Sequence, residues 1–477
     1  MAAQTRFDAV VVGSGPNGLA AAIVAAAAGL SVLVLEANDT IGGGARSAEL
    51  TLPGFVHDVC SAVHPLAAAA PFFRTLPLQR HGLEWIQQPA AFSHPFDEGS
   101  AAVMERSVDA TAARLGVDGR AYRMLWQPLV DDWQNFYRDA LGPLHIPHRP
   151  LTFARFGLRG LLATTWLTRA MFRDPRSRAM FGGIAAHATL PLNEPPSAAF
   201  GFVLGVAGHA VGWPIPRGGS QAVSRALVSY LQSLGGQIQT NRRVESLDEL
   251  PPSRVVFLDV TPRQVLRIMG DRLPPVYRGQ LRHYRYGLGT FKMDWVLDAP
   301  IPWRAADCAR AATVHLGGSL EEMTRAHVDA WAGKIPARPF VILAQPTLFD
   351  RSRVPDDTHH IVWGYAHLPN GSTADISDRI EAQVERFAPG FRDRIVARRC
   401  STPADLERSN ANLVGGDLNG GEANLAQLLT RPALRLDPYA TPLGGVYICS
   451  SSTPPGGGVH GMSGYHAARS ALHYLRN

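Results

Sequence analysis

The 477-residue sequence is short of cysteine, of concentrated charge and of long apolar runs, and each shortage removes a class of protein. Its four cysteines, Cys60, Cys308, Cys400 and Cys449, stand far apart, with no CxxC or CxxxxC pair. That spacing excludes a redox-active disulfide and a zinc knuckle, assigns no metal site, and fits thiols in a reducing cytoplasm. No uninterrupted apolar run reaches about 18 residues, so no spanning helix is expected. The first strand begins near Phe7, which predicts no signal or transit segment. The net charge of +6 comes from scattered arginines, without the basic stripe and interleaved aromatics of a nucleic-acid footprint. There is no repeat of fixed period and no low-complexity linker. With 46% hydrophobic and 18% charged residues, the chain can bury a large core and is expected to form two domains.

What the chain does contain is glycine in particular places. Residues 10–37 read VVVGSGPNGLAAAIVAAAAGLSVLVLEA. Val10–Val12 form a short buried strand, an alanine-rich helix runs to about Ala28, and Val32–Leu35 form a second buried strand that ends on Glu36. Gly13 permits the tight turn, Gly15 lets the backbone approach a pyrophosphate, and Gly18 lets the helix pack on the strand, leaving its free N–H groups to face the phosphates. Pro16 suits the first helical turn, where its missing donor costs nothing. Glu36 follows Gly18 at close to the spacing of a carboxylate that binds a ribose 2′-hydroxyl. A carboxylate there repels a 2′-phosphate, so the expected ligand is FAD or NAD rather than NADP.

The nucleotide-binding pattern then stops and restarts. A second glycine cluster, Gly42–Gly44, leads through Ala45 to Arg46, whose fork could neutralise a phosphate. His57, Asp58, Ser61 and His64 follow on a loop. Residues 96–210 are mainly helical. Within them, 151–173 carries Arg155, Arg159, Arg169 and Arg173 amid apolar side chains, as either a membrane-interface helix or an ordinary surface helix. Gly218 and Gly219 open a further helix, a strand runs toward Val244, and residues 254–262 give another. A mixed region from about 271 to 430 includes the strand GTFKMDWVL and the glycine-rich loop VGGDLNGG. The chain closes with a strand, a proline–glycine loop and a helix of small residues. No second GxGxxG follows a strand, so no permanent NAD(P)H module is expected.

Taken together, GSGPNGL…LEA…IGGGARS, PRGGSQAV and STPPGGGVHGMSG resemble the FAD-dependent oxidoreductases of the phytoene desaturase type. FKMDW, TVHLGGS and GWPIPRGGS are similar to the branch typified by pyridine nucleotide-disulphide oxidoreductase domain-containing protein 2. The resemblance implies an α/β fold whose Rossmann-like FAD-binding domain is assembled from three chain segments (1–95, 211–270 and 431–477). It also implies an inserted α+β substrate domain (96–210 and 271–430). By the same resemblance, Gly13, Gly15, Pro16, Asn17 and Gly18 cradle the pyrophosphate of non-covalent FAD, and Glu36 with Ala37 meets its ribose. Gly43, Gly44, Ala45, Arg46 and Ser61 contact the phosphate and ribityl region, Val244 binds adenine from a β-strand, and Gly457, Gly458 and Met462 pass along the isoalloxazine ring.

The implied chemistry is hydride transfer between a hydrophobic, polyisoprenoid- or lipid-like substrate and flavin N5, with oxygen or quinone as the electron partner. An amine oxidase and a flavin-free, lipid- or prenyl-binding escort protein are the alternatives on the same fold. Two residues stand out as catalytic candidates. Lys292 lies in an apolar strand, where a lysine is costly without a partner; it acts near the flavin with a lowered pKa, or is a strand-edge lysine, or pairs with Asp294 at i+2. His460, between glycines of the flavin loop, is either a proton donor or a ligand of its own backbone.

Overall fold

A computed structural model of the chain describes residues 6–476. Strand β1 (Ala9–Val12), helix α1 (Pro16–Ala27) and strand β2 (Val32–Leu35) form the opening unit. Both strands are buried along their whole length, which is why they read as unbroken valine and leucine rather than as an alternating pattern. Ala9, Val11, Val32 and Val34 pack on one side with α1, whereas Val10, Val12, Leu33 and Leu35 pack on the other with Val265, Ile268 and Tyr277. The sheet is wholly parallel, in the order Val446–Ile448, Val255–Leu258, β1, β2, Gln237–Gln239. It is thus assembled from three separated stretches of chain.

The last helix, Met462–Tyr474, packs across α1. Gly464 makes that crossing fit, because a Cβ there would stand 1.8 Å from Asn17 O. Gly464→Leu is therefore expected to undock the closing helix, read as a large drop in melting temperature by circular dichroism. An unchanged melting curve would show that the crossing does not depend on this glycine.

The second sheet has seven strands in the order Ile395–Ser401, Gly289–Leu297, His360–Leu368, Val341–Ala344, Ala311–Leu316, Ala90–Pro95, Ala101–Glu105. The strand Gly289–Leu297 lies inside the sheet with all nine residues buried, so Lys292 is not an edge lysine. Helices between Val108 and Ala210 build the remaining wall.

Five details differ from the sequence reading. His57 and Asp58, expected on a loop, lie on the strand Val56–Asp58, which pairs with Ser47–Glu49. Ala90–Pro95 pairs with Ala311–Leu316, so it belongs to the second sheet although it falls within 1–95. Tyr277 and Leu281 pack with the first sheet, so that layer extends past residue 270. The arginine-bearing stretch 151–173 is not one helix but two, Pro150–Gly160 and Thr164–Met171, separated by a break at 161–163. Val244 is not on a strand, because Gln237–Gln239 ends where its pairing with β2 ends and the chain continues as a loop. Among the described residues no helix is long and apolar enough to cross a membrane.

Candidate functional site: a cavity between the two sheets

A cavity of about 1070 Å³ begins at the C-terminal ends of β1 and β2, where open α/β sheets bind ligands, and continues to the second sheet. The sequence has built its first end from close backbone approaches. Gly13 turns with φ 101°, and its N–H donates to Leu35 O at 2.8 Å. A Cβ on Gly18 would lie 2.3 Å from Gly13 O, so α1 can start at that turn only with glycine there. Ser14 ties the parts together: its hydroxyl donates to Glu36 Oε2 at 2.6 Å and accepts from Gly42 N at 3.1 Å. Glu36 is buried, and its other oxygen accepts from Asn38 N at 2.9 Å.

Most of the predicted contact residues converge on this cavity. Gly13, Gly15, Pro16 and Asn17 line the turn, Glu36 and Ala37 the end of β2, and Gly43, Gly44, Ala45 and Ser61 the second glycine cluster. Val244 reaches it from its loop, and Gly457, Gly458 and His460 from the proline–glycine loop. Three others sit behind the wall. Gly18 is covered, its N–H donating to Asp259 Oδ2 at 2.9 Å. Arg46 is half-buried and donates from Nε to Gly43 O at 2.8 Å, bracing the cluster rather than facing the cavity. Met462 is buried, and its N–H is taken by His460 Nδ1 at 3.0 Å.

That last bond settles the state of His460. With Nδ1 accepting from Met462 and Nε2 donating to Gly456 O at 3.1 Å, the ring has one proton and both nitrogens occupied. Burial pulls its pKa down to about 4, so it stays neutral and fastens the loop to the closing helix. Lys292 is also engaged: its ammonium pairs with the buried Asp294, which lies 3.5 Å from His57 Nδ1. It faces a small crevice shared with Cys60, Trp363 and Tyr365, and these three also line the main cavity. His64 is buried, held neutral by burial with a pKa of about 4, and bonded to Ser220 Oγ at 2.8 Å. Asp58 belongs to a buried ion pair with Arg353.

The sequence reading missed Asp259. It follows the strand Val255–Leu258 and so stands at the carboxyl end of the sheet, the one signal that could have marked it. Burial raises its pKa to about 7, and the nearby Glu36 charge pushes the same way, against the Gly18 and Gly15 amides. A pyrophosphate on the glycine turn adds negative charge beside it. Binding therefore favours the protonated carboxyl, and affinity for an adenine dinucleotide is expected to fall as pH rises through about 7. Asp259→Asn should flatten that dependence and tighten binding at alkaline pH in a calorimetric titration. An equally steep profile in the variant would assign the dependence to another group.

The far end of the cavity is different in character. Phe156, Phe200, Val203, Leu204 and Ile342 supply an apolar lining, and Trp363 and Tyr365 sit side by side with ring centroids 5.4 Å apart. At the mouth, Leu144, Leu161, Leu425 and Leu429 line the cavity while remaining exposed. Asp139 steadies this rim by accepting from His145 Nε2 at 3.0 Å and His148 Nδ1 at 2.6 Å.

A glycine turn at a parallel sheet, an acid at the end of β2 and a cavity leading to an apolar chamber are the features of a dinucleotide-binding α/β fold with a second, apolar compartment. Residues 11–76 match the family described as NAD(P)-binding Rossmann-like domain. The chain is 26% identical to rat (Rattus norvegicus) pyridine nucleotide-disulfide oxidoreductase domain-containing protein 2, over 99% of this chain and 94% of that one. It is 26% identical to hydroxyneurosporene desaturase of Rhodobacter capsulatus, over 98% of each. Among solved structures, an oxidoreductase from Methanosarcina mazei superposes with a TM-score of 0.66 at 14% identity, covering 98% of this chain and 100% of that one. Putrescine oxidase bound to putrescine superposes at 0.60 and 18% identity, covering 99% and 100%. The amine oxidase-like architecture is thus shared, with a three-piece sheet joined to a larger mixed sheet.

Proposed function

We propose that the chain binds FAD non-covalently and oxidises, saturates or isomerises a C–H/C=C unit of an apolar, lipid-like substrate. The observation that carries this reading is the continuity of one cavity from the glycine turn to an apolar chamber that opens among exposed leucines. The residues present suit the cofactor. Asn17 lines the cavity at the start of α1, glycine opens the turn for phosphates where a Cβ would collide with the backbone, and Glu36 offers a carboxylate to a ribose diol. When bound, flavin would supply a two-electron carrier that takes hydride from the substrate carbon in oxidation and, once reduced, returns it in saturation. The protein's own part is to hold an apolar molecule against that face and to keep water out, which phenylalanine, valine and leucine walls do.

The rim supports lipid delivery. Leu144, Leu151, Leu158, Leu161 and Trp166 are exposed beside Arg155 and Arg159, an apolar face with flanking cations suited to an anionic bilayer surface. Co-sedimentation with phosphatidylglycerol vesicles is expected for the native chain and is expected to be lost in Leu158→Asp with Trp166→Asp. Equal sedimentation of the double variant would remove the rim from this role. Oxygen or a quinone then serves as electron acceptor.

Trp363 and Tyr365 favour a second reading, an amine oxidase, in which paired rings hold an amine. Anaerobic mixing of the flavoprotein with polyisoprenoids and with alkyl amines separates the two. The first reading predicts bleaching of the flavin absorption by a polyisoprenoid alone, whereas bleaching by amines, with peroxide formed in air, would replace it by the second.

A further inference from the structure

One polar feature interrupts the apolar end of the cavity, and its hydrogen bonding fixes what it presents. His187, in the turn Ala186–Ala188, lines the cavity, and its Nε2 lies 2.9 Å from Nε2 of the fully buried His315. Burial keeps both rings neutral. Two neutral imidazoles meeting nitrogen to nitrogen require one N–H and one lone pair. If His187 donated, the His315 proton would sit on Nδ1, which is buried with no partner. That nitrogen abuts Gly183: a Cβ there would be 2.7 Å from it, so a Cα–H of the glycine occupies this direction. A lone pair suits that neighbour and an orphaned N–H does not. His315 Nε2–H is therefore the donor, and the remaining proton of His187 is on Nδ1. Among the described residues Nδ1 has no partner, and it is not among the atoms sealed from solvent, so it faces the cavity.

Thr313, two residues before His315 on the strand Ala311–Leu316, also lines the cavity, but its hydroxyl is sealed from solvent and is not offered to a ligand. Trp213 packs edge-on against His187, with centroids 5.6 Å apart, which limits the ring's freedom to turn.

We infer that His187 Nδ1–H forms a subsite for a neutral oxygen acceptor, so that the substrate is an apolar molecule bearing a carbonyl or hydroxyl oxygen rather than a bare hydrocarbon or an amine. This rests on the reading that the apolar chamber takes the substrate. An ammonium group gains nothing from an N–H donor, whereas a carbonyl oxygen accepts from it directly. His315 is a positioning residue, because its bond to Nε2 sets which nitrogen of His187 carries the proton.

The test compares two probes of equal length, methyl nonyl ketone and undecane, by quenching of tryptophan fluorescence in the purified holoprotein, where Trp213 and Trp363 both line the cavity. The expected result is that the ketone binds about tenfold more tightly than the alkane, the range of one well-formed hydrogen bond. His187→Leu should abolish the preference for ketone over alkane, and His315→Leu should weaken it by freeing the tautomer. His187→Asn, whose amide N–H falls near the Nδ1 position, should keep part of the preference and so separates loss of the donor from misfolding of the histidine variants. Equal binding of ketone and alkane by the native protein would overturn the subsite while leaving the apolar-substrate reading standing. Binding of neither probe would overturn both.

Discussion

Arg353→Met is expected to destabilise the protein by about 3–5 kcal/mol in urea denaturation followed by circular dichroism, the usual consequence of stranding a buried charge. Arg353 and Asp58 are both fully buried. The guanidinium pairs with Asp58, donates from Nε to Asp350 Oδ2 at 3.0 Å, and donates to Pro216 O at 3.0 Å. It thereby joins the short strand Val56–Asp58, the approach to the helix Gln221–Ser233, and the turn at 350–353. Asp58 also accepts from Ser220 N at 2.7 Å and Ser47 Oγ at 2.9 Å, so its carboxylate is one of the pins holding the cavity wall. Burial alone would raise the Asp58 pKa, and Arg353 with these hydrogen bonds more than reverses it.

The pH dependence carries the sign. A carboxyl with a lowered folded pKa contributes stability above its unfolded pKa, and that contribution is lost as pH falls through the folded value. Without Arg353 the shift reverses: Asp58 rises above its unfolded pKa and destabilises the fold when ionised. The deficit of the variant should therefore be largest at neutral pH and should shrink as pH falls through the carboxylate range. A deficit below about 1 kcal/mol at neutral pH, typical of an exposed pair, would show that the buried network does not act as described.

Gly18→Ala is expected to lower FAD affinity by a factor of about 10² or more, near 3 kcal/mol. The reason is local. The new Cβ would lie 2.3 Å from Gly13 O and 2.9 Å from Asp259 Oδ2. The first is backbone within the turn between β1 and α1, so it cannot swing aside. The start of α1 must move away from the turn, carrying its free N–H groups out of reach of a pyrophosphate. Gly279→Ala provides the comparison. Gly279 lies in the helix Pro275–Arg282 with nothing near the added carbon, so it should gain up to about 1 kcal/mol in stability with no change in FAD affinity. Equal FAD retention by the native protein and Gly18→Ala, measured after dialysis, would detach the glycine turn from cofactor binding.

How much of this was legible in the sequence depended on whether a residue's role is local. The opening unit was read almost to the residue because its signals lie within one stretch: a valine run, glycines at fixed offsets, Pro16 in the first turn and an acid at the strand end. The strand Gly289–Leu297 was likewise marked by its composition. Position within a sheet was not visible. Ala90–Pro95 looks like a continuation of the first domain, and only its pairing with Ala311–Leu316, more than 200 residues away, shows otherwise. His460 carried two open roles because a histidine between glycines does not show where its nitrogens point; its bonds to Gly456 and Met462 supply that. His187 had no signal at all. Its meaning comes from His315, which lies 128 residues away and reaches it across the fold. Asp259 was the avoidable omission, since its place after a strand of the nucleotide sheet is a recognised ligand position.

The central claim, that the cavity at the glycine turn holds FAD, is tested most directly by the visible absorption spectrum of the purified protein, repeated on the supernatant after heat denaturation. The account predicts the two bands of oxidised flavin in the native protein and their transfer to the supernatant, as expected of a non-covalent cofactor. Absence of flavin bands, even after the protein has been incubated with FAD and dialysed, would contradict it.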